Sequence, residues 1–215
     1  MANIWQNYYR SHKLWRDGHT YGMCKVNHDQ RLFYVLIPKN ASTSIRNQIS
    51  KYKFEDGNYH DLNLVKQRYT PIIFIREPLD RWSSGMAEFI TRRLGGKWKQ
   101  FLNSPEFVKL MFARVAFDEH TESQAMYVQG IGIDKAVVLR VDDDLNKNLS
   151  NFLRSKGIEN TIDEENKKYT SVGGKLDCKE RLLEMLEENE DYKKKIQGFY
   201  SVDYDLINRV KYYNK

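Results

Sequence analysis

The chain of 215 residues carries 35 basic and 29 acidic side chains, a formal net charge of +6. That length predicts one domain, 1–215, with a full core, and falls short of two. Hydrophobic residues make up 40% of the sequence and no apolar run approaches the ~20 residues that a membrane span needs, which excludes a membrane protein on this reading. The opening MANIWQNYYRSHKLWRDG lacks the continuous apolar stretch and small-residue cleavage site of a secretory signal, so a cytoplasmic location is expected. Cys24 and Cys178 fit no CxxC or Cys/His ligand pattern and read as free thiols, a disulfide being disfavoured in a reducing compartment. The modest positive charge suits an anionic ligand such as a nucleotide or an acidic glycan, and equally a merely soluble surface. Neither nucleic acid nor a membrane is expected as a partner, and the oligomeric state is left open.

In chain order, RLFYVLI (31–37) is a short apolar, β-rich run of the kind buried on both faces of a sheet, and Pro38 ends it. A helical pattern follows over 42–51. PIIFI (71–75) is the second such strand, with Pro78 after it and a helix over 79–94. Ser104 and Pro105 read as the cap and first-turn proline of a further helix. KAVVLR (135–140) is the third strand, followed by a helix over 145–156 that places Leu145, Leu149, Phe152 and Leu153 on one side. The remainder is helical, with Asp177 and Glu180 in capping-box spacing and a last amphipathic series in VDYDLINRVKYY. Strands alternating with helices predict an α/β fold: three layers, α/β/α, around a central parallel sheet, with extra C-terminal helices.

Ligands of open parallel sheets bind beyond the carboxyl ends of the strands. There the first strand delivers PKNASTS (38–44) into a helix, a strand-loop-helix that aims backbone N–H groups and the positive end of a helix dipole at one point. A bound phosphate accounts for such a loop. The second strand delivers REPLDRWSSG, with Arg76 at the strand tip and Ser84 eight residues later; a bidentate guanidinium and a hydroxyl suit the same kind of anion. The loop is P-loop-like but is not the triphosphate loop GxxxxGK[ST]: its lysine comes first, at Lys39, and it has no glycine. No acidic pair beside it resembles a magnesium site, and no metal is expected.

IPKNASTSI followed by IIFIREPLDRWSSG resembles the paired nucleotide-binding signatures of sulfotransferases that use 3′-phosphoadenosine 5′-phosphosulfate (PAPS), in particular the carbohydrate branch. The resemblance implies that Pro38, Lys39, Asn40, Ala41, Ser42, Thr43 and Ser44 cradle the 5′-phosphate and sulfuryl end. It implies that Arg76 and Ser84 hold the 3′-phosphate. FDEHTESQAMYVQGI (117–131) is similar to the family's segment with a histidine followed shortly by a glutamine, VVLRVDDDLNKNLSNFLRSKGI to its third-strand segment, and FYSVDYDLINRV to its tyrosine and aspartate ending. The similarity covers about 31–210. It implies transfer of a sulfuryl group from PAPS to the hydroxyl of a carbohydrate or other acceptor, possibly acidic, with adenosine 3′,5′-bisphosphate as product. Unlike the family's Golgi members, the chain as given shows no membrane anchor or stem.

The leaving phosphate needs positive charge and N–H donors, which Lys39 and the loop amides supply. The acceptor hydroxyl needs a base. The resemblance favours His60, in a YH context before the second signature, over His120, which is assigned to the acceptor or bridging region; Glu55, Asp61 and Glu88 are further candidates. A lone histidine is more often a surface or hydrogen-bonding residue. Trp82 and Trp98 read as packing residues. RRLGGKWK (92–99) reads either as a solvated face or as a glycine-hinged lid whose Arg92, Arg93, Lys97 and Lys99 attract an acidic glycan. SVGGKLD (171–177) reads as a flexible loop that could fold over the nucleotide. The competing functions are a magnesium-dependent nucleotide phosphotransferase and a non-catalytic nucleotide-binding module.

Overall fold

The computed structural model describes residues 21–159, 162 and 174–213. Their elements, in chain order, are β1 (Met23–Asn27), β2 (Leu32–Val35), α1 (Ser42–Ile49), β3 (Glu55–Asn58), β4 (Thr70–Ile75), α2 (Pro78–Leu94), α3 (Trp98–Leu102), α4 (Pro105–Ala113), α5 (Gln124–Tyr127), β5 (Val137–Arg140), α6 (Leu145–Ser155), α7 (Lys175–Glu188), α8 (Glu190–Phe199) and α9 (Ser201–Arg209). These residues fall into two compact units: a sheet unit of 21–76, 124–159, 162 and 205–213, and a helical unit of 77–123 and 174–204.

The sheet unit is α/β, with strand order β3-β1-β2-β4-β5. β2, β4 and β5 are parallel, in the register Leu32 to Thr70 and Ile72 to Val137. These are the three strands expected from their apolar runs. The sheet is nevertheless mixed rather than parallel throughout, because β1 pairs antiparallel with both β2 and β3. Neither of those strands announces itself: MCKVN is short, and EDGN at the edge is polar and poor in strand-forming residues. Backbone pairing and an ion pair of 3.0 Å from Lys25 to Asp56 hold β3 in place.

Alternation of side chains gives the parallel strands two buried faces. Leu32, Tyr34, Ile72, Phe74 and Leu139 pack with Ile45 and Ile49 of α1 and with Leu145, Leu149, Phe152 and Leu153 of α6. Phe33, Val35, Ile73, Ile75 and Val138 pack instead with Tyr59, Leu64, Tyr127, Val128, Ile131 and the α9 residues Leu206 and Ile207. Each such fully buried side chain contributes ~1.5–3 kcal/mol. This double burial is why the strands read as continuous apolar runs. At Tyr213 the backbone N–H donates to the Val138 carbonyl (2.8 Å), extending the sheet past β5.

In the helical unit α2 and α7 lie antiparallel, with ion pairs Asp80–Lys179 and Glu88–Lys175 and a core that includes Trp82, Met86, Phe89, Ile90, Cys178, Leu182 and Leu186. Trp82 and Trp98 are buried there, as packing residues should be. The Ser104 hydroxyl accepts from the Phe107 N–H and Pro105 sits in the first turn of α4, as expected. Two boundaries differ from the sequence reading. α7 begins at Lys175, behind the left-handed Gly174, so residues 175–177 are helix rather than loop; 171–173 lie outside the described residues. A Cβ on Gly174 would stand 3.1 Å from the Trp98 indole nitrogen, which favours glycine over a side-chain cap. The long C-terminal pattern breaks at Asn189, whose side chain accepts from the Tyr192 N–H (3.1 Å) and starts α8. In RRLGGKWK, Gly95 with φ 52 ends α2 and a 3-10 turn leads into α3; Arg92 pairs with Glu88 (3.2 Å) and Arg93 covers the Phe89 ring. Both cysteines are free and buried. Among the described residues no helix is long and apolar enough to cross a membrane.

Candidate functional site

The loop after β2 leaves the parallel sheet at its carboxyl end and turns through two left-handed residues, Lys39 (φ 67) and Ala41 (φ 57). Lys39, Ala41, Ser42 and Ser44 are half-buried, Thr43 is exposed and Asn40 is fully buried. The Asn40 N–H donates to the Ile37 carbonyl (3.2 Å), closing the turn. Ala41 occupies the N-cap of α1 and offers no side-chain acceptor, and the first turn contains no acidic residue. The positive end of α1 is therefore compensated by neither device that usually serves it. Ser44 is engaged within the helix, its Oγ accepting from Gln48 Nε2 (3.2 Å).

Three residues hold this loop against the tip of β4. The Asn40 Nδ2 donates to the Phe74 carbonyl (2.6 Å) and to Gln124 Oε1 (2.8 Å). Gln124, fully buried at the start of α5, also accepts from the Arg76 N–H (3.2 Å) and donates from Nε2 to the Arg76 carbonyl (2.8 Å). The Arg76 guanidinium returns to the loop, donating from Nη1 to the Lys39 carbonyl (2.8 Å). Lys39 and Asn40 thus meet Arg76, far from them in sequence, at one strand end. Removing one partner from such a buried amide pair leaves polar groups unsatisfied at ~1–3 kcal/mol each. The bridging role of Gln124 was not legible in the sequence, although it lies in the 117–131 segment singled out there. A buried glutamine has no periodicity to mark it.

His60 follows β3 and not, as its place in the chain suggests, the entry to β4. β3 and β2 both run antiparallel to β1, so they share a direction and leave the sheet at the same end. Met23 fixes the level: it pairs with Asn58, and its carbonyl accepts from the Leu36 N–H (3.0 Å). His60 therefore emerges at the end that carries the Lys39 loop, two strand spacings or ~10 Å across from β2. Residues 61–69 then carry the chain back to the start of β4, where the Thr70 N–H donates to the Arg31 carbonyl (2.8 Å). The exposed imidazole leans on the Tyr59 ring, 4.2 Å between centroids, and its N–H backbone is caught by Asn58 Oδ1 (2.9 Å). Gly22, at φ 88, backs it: a Cβ there would lie 2.7 Å from His60 Cδ2. Beside the ring is a cavity of about 380 Å³ lined by Tyr21, His60, Met126, Gln129 and Gly130.

Ser84 and His120 belong to the helical unit. Ser84 is half-buried in the second turn of α2. His120 is tied down locally, its N–H donating to Asp118 Oδ1 (3.0 Å) and its Nδ1 lying 3.3 Å from Asp118 Oδ2. Asp118 in turn sits in a turn closed by Thr121 Oγ1, which accepts from the Phe117 N–H (2.7 Å) and the Asp118 N–H (3.0 Å). Asp118, Glu119 and His120 are near enough to one another to share a cation, but their contacts are those of a turn holding itself together. Below this turn the buried Arg81 donates to the Glu122 carbonyl, Tyr200 donates to the Thr121 carbonyl, and Ser123 Oγ donates to buried Asp203 (2.5 Å). Of the carboxylates considered as bases, Glu88 is committed to Lys175 and Arg92, while Glu55 and Asp61 are exposed. No protein family model, curated protein or solved structure matches the chain.

Proposed function

We propose that the protein is a sulfotransferase that uses PAPS, with the loop 38–44 and Arg76 as its phosphate-binding elements and His60 as its general base, on a nucleotide-binding α/β fold. The observation that carries this reading is the meeting of Arg76 with the Lys39–Asn40 loop in front of an uncapped helix. Left-handed residues stand on either side of Asn40, and backbone turns of this kind recur where N–H groups cradle an anion. The donors present fit a phosphate: the amides at the start of α1, the hydroxyls of Ser42 and Thr43, the Lys39 ammonium and the Arg76 guanidinium. When bound there, PAPS supplies a sulfuryl group that passes to the acceptor oxygen as adenosine 3′,5′-bisphosphate leaves. On this reading Lys39 and the loop amides meet the charge that develops on the phosphate. His60, at the same strand end, takes the proton of the acceptor hydroxyl. The proposal rests on residues of the sheet unit alone.

Sulfuryl transfer from labelled PAPS to a panel of hydroxyl acceptors, run in the presence of a chelator, tests it. Transfer should survive the chelator, and His60→Ala should slow turnover by about 10²-fold or more, the usual worth of a positioned base, with nucleotide affinity nearly intact. Strict dependence on magnesium would favour a phosphotransferase instead. A His60→Ala variant as fast as the parent would remove His60 from the chemistry.

A further inference from the structure

We infer that the cavity beside His60 is the acceptor site, and that it takes a small uncharged hydroxyl compound with a flat apolar face, the chemistry shared by a neutral sugar ring and a phenol. The inference rests on the proposed transfer reaction and takes a neutral acceptor where the resemblance left room for an acidic one. Its volume of about 380 Å³ is at the low end for ligand sites and suits one ring rather than a chain of them. Its lining contains no lysine, arginine, aspartate or glutamate among the described residues. Among the described residues an anionic acceptor would meet no lysine or arginine there, and burying an unpaired charge is costly.

What the lining offers instead is an aromatic ring, a thioether, a primary amide and an imidazole. Met126 is 44% exposed beside a cavity, an apolar side chain left uncovered where a ligand's face would cover it. Tyr21 supplies an aromatic surface of the kind that sugar C–H faces and phenol rings both stack on. Gln129, exposed, donates and accepts, which matches a hydroxyl. At Gly130 (φ 81) a Cβ would meet no atom within 4 Å, so the absent side chain leaves that side of the wall open.

The wall is also built to stay in place. Tyr127, between Met126 and Gln129, is buried; its carbonyl accepts from the Tyr59 hydroxyl (3.0 Å) and its ring packs on Tyr21 at 5.1 Å between centroids. Tyr59 is the same ring on which His60 leans. Base and acceptor wall thus share one support. Gln124 opens the helix that carries Met126 and Tyr127, so the wall is tied through it to Asn40 and Arg76.

The test is titration of the full chain carrying ¹³C-methyl methionine, with phenol, methyl β-galactoside and methyl β-glucuronide as probes. Met126 is assigned among the six methionines by Met126→Leu. Phenol or the galactoside should shift the Met126 methyl and His60 ring signals; which of the two binds more tightly tells phenol from sugar. The glucuronide, of nearly the same shape, should bind at least about tenfold more weakly. Met126→Lys should narrow or reverse that preference. Shifts by none of the probes, or glucuronide binding as tight as the neutral sugar, would overturn the inference. Adenosine 3′,5′-bisphosphate binding, measured in the same samples, separates the two claims: a filled cavity without nucleotide binding would sink the transfer reaction and leave the cavity assignment standing.

Discussion

Lys39 and Ala41 hold a backbone conformation that a side chain disfavours by ~1–2 kcal/mol each, and Asn40 between them is buried in hydrogen bonds to the ends of β4 and α5. Two such outliers flanking one buried amide mark a loop whose shape is imposed by its surroundings. Arg76 is among those surroundings through its bond to the Lys39 carbonyl. If Arg76 also holds a 3′-phosphate, Arg76→Ala should weaken adenosine 3′,5′-bisphosphate by at least about tenfold, since a charge-assisted hydrogen bond is worth ~1.5–3 kcal/mol. A nucleotide lacking the 3′-phosphate should be affected much less, as calorimetry on both ligands would show. Equal losses would assign Arg76 to holding the loop and not the phosphate.

At the scale of elements, what could be read in advance was whatever is governed by apolar patterning. β2, β4, β5, α1, α2 and α6 all lie where their runs and periodicities put them, because each buries a continuous or striped apolar surface. β1 and β3 are pairings of backbone with backbone, and EDGN contains nothing that a periodicity would register. With those strands hidden, nothing in the sequence shows why His60 emerges at the end that carries the Lys39 loop, since β3, not the approach to β4, sets that direction. The Lys39, Asn40 and Arg76 positions were legible as motifs; the Gln124 bridge and the cavity wall, made by a four-residue helix and the turns around it, were not. Glycines inside helices show the same contrast between pattern and contact. Gly85 of α2 and Gly198 of α8 are alike in sequence terms, but a Cβ on Gly85 would strike the His120 carbonyl while one on Gly198 would meet nothing. Gly85→Ala should therefore cost about 1–3 kcal/mol through overpacking. Gly198→Ala should instead add ~0.5–1 kcal/mol by restricting the unfolded chain and favouring helix. Chemical denaturation of the two variants would show shifts of opposite sign, and a shared sign would contradict this account of the α2 contact.

At the scale of the whole molecule, burial of titratable groups sets a limit on alkaline stability. Burial pushes the Cys24 and Cys178 thiols up to about 12 from an ordinary 9.0, and raises the Tyr34 and Tyr200 phenols as well. Each group keeps its proton in the folded state where the unfolded chain releases it, so stability is complete below the ordinary values and falls as pH rises above about 9 toward the folded ones. The midpoint of urea unfolding should accordingly drop between about pH 8 and pH 11, and a midpoint that held or rose would contradict the burial of these groups. The central claim concerns the ligand. Direct binding of adenosine 3′,5′-bisphosphate and of ADP to the full chain, each with and without magnesium, tests it most directly. The account predicts tighter binding of the bisphosphate, unchanged by the metal; tighter binding of ADP, or binding of either nucleotide only with magnesium, would contradict it.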